Sequence, residues 1–287
     1  MRRVPLFFCG SFLPFCRCSV TLTQKTKLGK YRSDCSPLLS AENLCQMILY
    51  LIRHGQSTNN LLAEQLKAQP GPFPYETYMK TRVAEPPLTE MGEEQAVRLG
   101  AYFDDTEISR LFCSPMLRTM QTMRPLAEAQ GREPVVWIDL HEHGGIFLKP
   151  GPDAEAVGFP GLSRAEMGGL FPGYRLDGIG EKGWWCGNEE DLASCHARSV
   201  RVAEELHAMA MNSEEDEVIA AVSHGTFMDS LLKALLGRLP GKELYFNHHN
   251  TGVTRVDFSA SRTESSMTVT VRYTNRAEHL ADDHMTY

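Results

Sequence analysis

The chain has 287 residues, 42% of them hydrophobic, with a formal net charge of −7 and a pI near 5.8. That length fits one large α/β domain with an appended segment, or two small domains, and the apolar share can fill a sizeable core. No uninterrupted apolar run reaches the roughly 18–20 residues that span a bilayer. The acidic balance argues against non-specific nucleic-acid binding as the main role, yet leaves room for a small anionic substrate in a local cationic pocket.

Charge and cysteine are unevenly spread. Residues 1–46 carry seven Lys and Arg against Asp34 and Glu42, a balance of +5 that leaves −12 for the rest. Five of the eight cysteines also lie there. Cys113, Cys186 and Cys195 are too few for a disulfide framework, so the body reads as a reducing-compartment protein. Arg2 and Arg3, the apolar residues 4–15 and the following Ser, Thr, Lys and Arg have the composition of a targeting leader, organellar or secretory. A competing reading takes residues 1–46 as an upstream extension ahead of a start at Met47, with a cytoplasmic protein as the result. Under either reading residues 1–45 are expected to stay outside the folded core, as a leader or a disordered extension.

From Met47 short apolar runs alternate with helical stretches. Residues 47–52 read as a first buried strand. Thr89 is a good N-cap, followed by Glu90, Glu93 and Glu94, with Ala96, Leu99 and Phe103 on one face. Residues 111–113 make a second strand, and Ser114-Pro115 reads as a helix start ahead of Met116, Met120, Met123 and Ala127 at helical spacing. Residues 135–140 read as a third strand. Residues 143–190 then hold 12 of the 23 glycines with little periodicity, a long excursion expected to cover an active site. A helix over 192–211, a strand over 218–222 and a helix over 226–236 follow. Residues 253–258 and 267–273 read as edge strands, with Met267, Val269, Val271 and Tyr273 on one face. The tail beyond is expected to be mobile. This alternation predicts an α/β domain over 47–287 with a mainly parallel sheet.

Four polar clusters each follow an apolar strand: Arg53-His54-Gly55-Gln56-Ser57, Ser114 to Arg118, His141-Glu142-His143, and Ser223-His224-Gly225. Parallel strands bring their carboxyl ends to one crevice, so clusters remote in sequence can converge. Two imidazoles, two guanidiniums and one carboxyl are a poor metal site, because the arginines repel a cation. They suit a phosphate. Guanidinium forks donate paired hydrogen bonds to phosphate oxygens, neutral imidazole is a competent nucleophile, and a carboxylic acid can protonate a leaving oxygen. The pair His141 and His143, on one side of an extended segment, supplies only two ligands, so no metal is expected. His248 and His249 read as surface or rim residues.

The order of these motifs resembles the histidine phosphatase superfamily, also called the phosphoglycerate mutase-like family. Leu51-Ile52-Arg53-His54-Gly55-Gln56-Ser57-Thr58-Asn59-Asn60 is similar to its signature. Pro87-Leu88-Thr89 with Gly92, Ser114-Pro115-x-x-Arg118-x-x-x-Thr122, Leu140-x-Glu142, Ser223-His224-Gly225 and Asn250-Thr251-Gly252-Val253 resemble its later segments. The resemblance implies a three-layer α/β/α sandwich with a mainly parallel central sheet and a loop-rich cap at about 143–190. It implies that His54 becomes phosphorylated, that Arg53, Arg118 and His224 hold the phosphoryl group with help from Asn60, and that Glu142 donates the proton. No cofactor is implied.

Phosphatases and mutases share this constellation. Residues 143–190 hold only Lys149, Arg164, Arg175 and Lys182 as cations, with Phe147, Phe159, Phe171, Tyr174, Trp184 and Trp185. That balance favours a leaving group with apolar surface over a small polyanion, hence a metal-independent phosphomonoester hydrolase acting on a phosphorylated small molecule or phosphoprotein. A phosphoglycerate-type mutase, a protein phosphatase and a non-catalytic phospho-ligand-binding scaffold are the alternatives.

Overall fold

Alternation along the first strand divides the core in two. In β1 (Leu44–Arg53) the side chains of Met47, Leu49 and Leu51 join one buried cluster, while Tyr50 and Ile52 join another. Successive residues of a strand point to opposite faces, so each face needs its own helical cover. The computed structural model describes residues 44–149, 151, 154–213, 215–261 and 266–287. The leader expectation, which concerns residues 1–43 for the most part, lies outside the described residues.

After β1 come α1 (Thr58–Lys67), α2 (Tyr75–Thr81) and α3 (Glu90–Tyr102), then β2 (Arg110–Cys113), α4 (Leu117–Gln130) and β3 (Val135–Val136). The excursion holds a small hairpin, β4 (Phe147–Leu148) and β5 (Val157–Gly158), and α5 (Arg164–Leu170). The chain closes with α6 (Leu192–Asn212), β6 (Glu217–Ser223), α7 (Gly225–Leu235), β7 (Val253–Ser261) and β8 (Ser266–Arg276). The sheet order is β3-β2-β6-β1-β7-β8, the first four parallel and the last two antiparallel. Leu99 of α3, Phe103 at its C-terminal cap, and Met120 and Met123 of α4 cover one face. Val202 and Leu206 from α6, with Phe227 and Leu231 from α7, cover the other. The α/β/α sandwich expected from the motifs is present.

Several boundaries differ from the expectation, each for a backbone reason. β1 begins at Leu44, because Leu44 and Cys45 pair with Ser261 and Ala260 of β7 before the parallel pairing with β6 starts at Met47. Ladder bonds need no particular side chain, so an apolar pattern does not mark where they stop. The third apolar run stops as a strand after Val136. The Trp137 amide donates to the Cys113 carbonyl and residues 138–140 turn into a short 3₁₀ helix. Ser114 stays extended, its amide on the Val222 carbonyl and its hydroxyl oxygen accepting from Met116, so α4 starts at Leu117. In β8, Met267, Val269 and Val271 face the α6 and α7 side as expected, whereas Tyr273 packs on the opposite cluster. Two register shifts flank Arg255, and the one between Arg255 and Val256 sets an extra residue of β8 against β7 and reverses the facing.

The tail is also docked rather than loose. The Asn250 amide donates to the Thr286 carbonyl, the Thr286 hydroxyl donates to Asn250 Oδ1, and Gln95 Nε2 donates to the His284 carbonyl and to Thr286 Oγ1. The first helical cover meets the β1 turn at two glycines. A Cβ on Gly55 would sit 2.6 Å from the Gly92 carbonyl oxygen, and one on Gly92 would collide with the Gln56 carbonyl. Gly92→Ala is therefore expected to destabilise the fold by about 1–3 kcal/mol. Gly169→Ala, in α5 with nothing near its Cβ, should be neutral or stabilising by about 0.5–1 kcal/mol. Urea unfolding of the two variants checks the contrast.

Candidate active site

The crossover from β1 to β2 leaves a gap that β6 fills, and the carboxyl ends of these three strands lie level. Arg53 pairs with Ser223 and Cys113 with Val222. The His54 amide donates to the Ser223 carbonyl and the Ser114 amide to that of Val222, each at 3.0 Å. Side chains that follow these strand ends are thereby delivered to one place.

Arg118, in the first turn of α4, joins them. Its Nε donates to His54 Nε2 at 3.1 Å and its Nη2 to His224 Nδ1 at 3.0 Å, and the two imidazole centroids are 5.2 Å apart. A guanidinium only donates, so both contacted nitrogens present lone pairs. The remaining nitrogens then carry the hydrogens. His54 Nδ1–H donates to the Gly55 carbonyl at 2.7 Å, and His224 Nε2–H to the Ser114 hydroxyl at 2.8 Å. Burial, then the positive charge of Arg118, then that of Arg53 hold the His54 imidazole well below its ordinary range. Burial and Arg118 do the same to His224. Both rings are neutral near pH 7.

A cavity of about 230 Å³ opens over this group, lined by Arg53, His54, Asn60, Arg118 and Glu142 together with Ser57, Asn59, Tyr78, Arg82, His143, Gly145 and Phe147. His224 is fully buried and lies outside that lining, reached through Arg118. Asn60 sits in the first turn of α1, where its Oδ1 accepts from the Ser57 amide and hydroxyl. Glu142 Oε1 accepts from the His143 and Phe227 amides, and Oε2 from the Thr226 amide at the start of α7. All six residues singled out in the sequence belong to this one assembly. A larger depression of about 520 Å³, where α4 meets residues 170–174, contains none of them.

Two expectations about the excursion change. His141 and His143 do not share a side. His141 packs on Trp184 and Trp185 with Nε2 3.8 Å from Glu190, while His143 lines the cavity. Residues 141–143 belong to no strand, and the His143 amide donates to Glu142 Oε1, so strand alternation does not govern the pair. Of the six aromatic residues, only Phe147 lines the cavity. Phe171 and Trp184 are core residues, and the Tyr174 hydroxyl donates to the Met120 carbonyl. The cover is thus the head of the excursion, His143, Gly145 and Phe147. Further along, Met167, Phe171 and Tyr174 join the core cluster that holds Met120 and Met123 of α4.

Sequence reading passed over several residues that complete the site. Arg198 of α6 is 2% exposed; its Nε and Nη2 grip both oxygens of Glu190, and its Nη1 donates to the carbonyls of Asp139 and His141. The peptide that presents Glu142 is held by this fork and by Ser223 Oγ on the Leu140 carbonyl. One signal was available: Arg198 falls on the apolar face of α6 with Cys195, Val202 and Leu206. Asn250, which the sequence marks only as part of the late Asn-Thr-Gly-Val segment and without a role, donates from Nδ2 to the His54 carbonyl and ties the docked tail to the β1 turn. Tyr78 lies in the short helix α2 and Arg82 caps it; that segment shows no apolar period, so no signal marked them.

A family model for the histidine phosphatase superfamily (branch 1) matches residues 49–269. The chain is a member of that superfamily. A probable phosphoglycerate mutase of Enterobacter sp. (strain 638) is 26% identical over 214 residues, 74% of this chain and 86% of the relative. A phosphoserine phosphatase variant of Entamoeba histolytica, solved with phosphoserine, superposes with a TM-score of 0.51 at 21% identity, over 82% of this chain and 100% of that one. A putative alpha-ribazole-5'-P phosphatase of Escherichia coli superposes with a TM-score of 0.53 at 20% identity, over 80% and 97%. At those identities the two structures establish the histidine phosphatase fold and nothing finer. Among the described residues no helix is long and apolar enough to cross a membrane.

Two stability predictions follow from the buried groups. Imidazoles held neutral in the fold but titrating near pH 6.5 when unfolded make the unfolded chain bind more protons in acid. Stability is then complete above about pH 6.5 and falls as the pH drops below it. The slope of urea stability over that window should be shallower in His54→Gln and His224→Gln. Burial pushes the Glu190 carboxyl up, but the hydrogen bonds and charge of Arg198 and His141 overcome it and hold it at about 2. Arg198→Met strands that carboxylate, with a side chain 8% exposed, and is expected to cost about 3–5 kcal/mol at neutral pH. In Arg198→Met/Glu190→Met most of that loss should be recovered.

Proposed function

We propose that the chain is a metal-independent phosphomonoester hydrolase working through a phosphohistidine on His54. The observation that carries this reading is the neutral His54 ring, with Nδ1–H tied to the Gly55 carbonyl and Nε2 turned toward Arg118 beside the cavity. Phosphoryl transfer needs positioning and charge neutralisation more than covalent help from the protein. Arg53, Arg118 and Asn60 border the cavity, and they would hold the phosphoryl oxygens with His224 braced behind. Incoming phosphate oxygens replace the imidazoles as acceptors for Arg118, which releases the His54 Nε2 lone pair. That nitrogen attacks phosphorus, the bond to the leaving oxygen breaks, and the Glu142 carboxyl delivers a proton to it. Water then attacks the phosphohistidine. The Glu142 carboxylate takes the water's proton, the P–N bond breaks, and phosphate leaves. Thr226 and Phe227 amides orient the carboxyl throughout.

A mutase reading is kept because the Enterobacter relative carries that name. Both readings use the same first half-reaction and part at the fate of the phosphohistidine. A generic aryl phosphate assayed with excess chelator tests the first half: turnover should persist. His54→Ala should lose roughly three or more orders of magnitude in rate. Glu142→Gln should slow an alkyl phosphate far more than an aryl phosphate, whose leaving oxygen needs no proton. With phosphoglycerates supplied, release of phosphate supports the hydrolase and isomerised product the mutase. Dependence of turnover on added metal, or near-normal rates in His54→Ala, would refute the mechanism.

A further inference from the structure

A second carboxyl stands close to the phosphoryl pocket without bordering it. Ala84 and Pro86 line the cavity, while Glu85 between them does not. Its Oε1 accepts from the Leu117 amide at 2.8 Å, and its Oε2 is buried with no hydrogen-bond partner. Burial pushes this carboxyl above its ordinary range, against the opposing pull of Arg118 and the Leu117 amide. Burial likewise works against the Arg118 charge, and Glu85 is the first of the carboxylates that sustain it, ahead of Glu142. A carboxyl withdrawn from water is costly, so a fold that keeps one there holds it by specific partners.

Leu117 opens α4, and Arg118 is the next residue. The first amides of a helix have no acceptor inside it, and the N-cap of α4, Met116, brings no side-chain acceptor of its own. Glu85 supplies one from 32 residues away, and a negative group suits that end of the helix dipole. The stretch that presents Glu85 is stapled at both ends. On the α1 side, the Val83 amide donates to Asn59 Oδ1 and Asn59 Nδ2 to the Val83 carbonyl. Beyond the stiff pair Pro86-Pro87, the Leu88 amide donates to Gln121 Oε1 of α4 and the Thr89 amide to the Gln56 carbonyl. Glu85 thus links the segment beside the His54 turn to the helix that carries Arg118. No ion pair joins Glu85 and Arg118 among the described residues, so the link runs through the Leu117 amide.

We infer that Glu85 is a positioning residue: by holding the first amide of α4, it sets where the Arg118 guanidinium meets both imidazoles and the phosphoryl group. The inference rests on the reading of Arg118 as a phosphoryl ligand. Arg118 reaches His54 at 3.1 Å and His224 at 3.0 Å. Contacts of this kind weaken steeply with misalignment, so a small drift of the helix end is felt at the site. The effect of Glu85 therefore passes through Arg118 and disappears with it.

Inorganic phosphate is the probe, titrated into the full chain by calorimetry. Glu85→Met removes the acceptor without leaving a cavity, and Glu85→Ala is a second such variant; circular dichroism shows which are folded, and one suffices. Either should bind phosphate about tenfold or more weakly than wild type, the size of one charge-assisted hydrogen bond. Glu85→Gln keeps an oxygen for the Leu117 amide and loses a charge that repels phosphate. It should restore affinity to within about threefold of wild type, or exceed it. In an Arg118→Ala background, Glu85→Met should change phosphate affinity and aryl phosphate kcat/KM by less than about twofold, because the route through Arg118 is already gone. Equal losses with and without Arg118, Glu85→Gln as weak as Glu85→Met, or Glu85→Met indistinguishable from wild type would each overturn the inference. So would a wild-type protein that binds no phosphate, or loss of fold in both Glu85→Met and Glu85→Ala, which would make Glu85 a support of the whole domain. Aryl phosphate turnover of the wild type is measured in parallel. The expected binding pattern without turnover leaves the role of Glu85 standing and removes the hydrolase reading, and turnover without that pattern does the reverse.

Discussion

Arg118 donates to both imidazoles at once, and the protonation state of the site follows from that. A guanidinium has no lone pair to offer, so each ring must turn an unprotonated nitrogen toward it. The second nitrogen of each ring is then a donor, and each has a fixed acceptor, the Gly55 carbonyl for His54 and the Ser114 hydroxyl for His224. Burial reinforces the arrangement by penalising an imidazolium beside an existing cation. Two bases are thus kept unprotonated at neutral pH without a carboxylate partner on either ring.

Holding a charged group in that environment needs a surrounding frame. Glu142 receives amide hydrogens from the start of α7, and the peptide carrying it is gripped by buried Arg198, itself neutralised by Glu190. The β1 turn is held from below by strand pairing and from the side by Asn250, which the C-terminal tail in turn engages. Gly55 and Gly92 let α3 approach that turn to backbone distance. These supports come from five separate stretches of chain, so the precision of the site is a property of the whole sheet end.

Much of this was legible in the residues. The apolar runs located the sheet strands β1, β2, β6, β7 and β8, since burial on both faces or one imposes its own period. His54, Arg118, Glu142 and His224 were marked by their place after strands, because parallel strands share one carboxyl end. Thr89 was readable as a cap from its hydroxyl and the acids behind it. Less was legible where backbone bonds or distant partners decide. The ladder carries Leu44 and Cys45 into the sheet regardless of side chain, the bulge near Arg255 turns Tyr273 to the other face, and most aromatic residues of 143–190 are consumed by packing on α4 or on His141.

Composition and spacing were enough to specify which chemical groups this protein brings to a strand-end crevice, because those groups are local to each strand's end. Their tautomers, the buried Arg198–Glu190 pair and the hold of Glu85 on α4 depended on the folded chain. Each of these is set by a partner dozens of residues away or by loss of water around a charge, and neither distance nor dehydration exists until the sheet has closed.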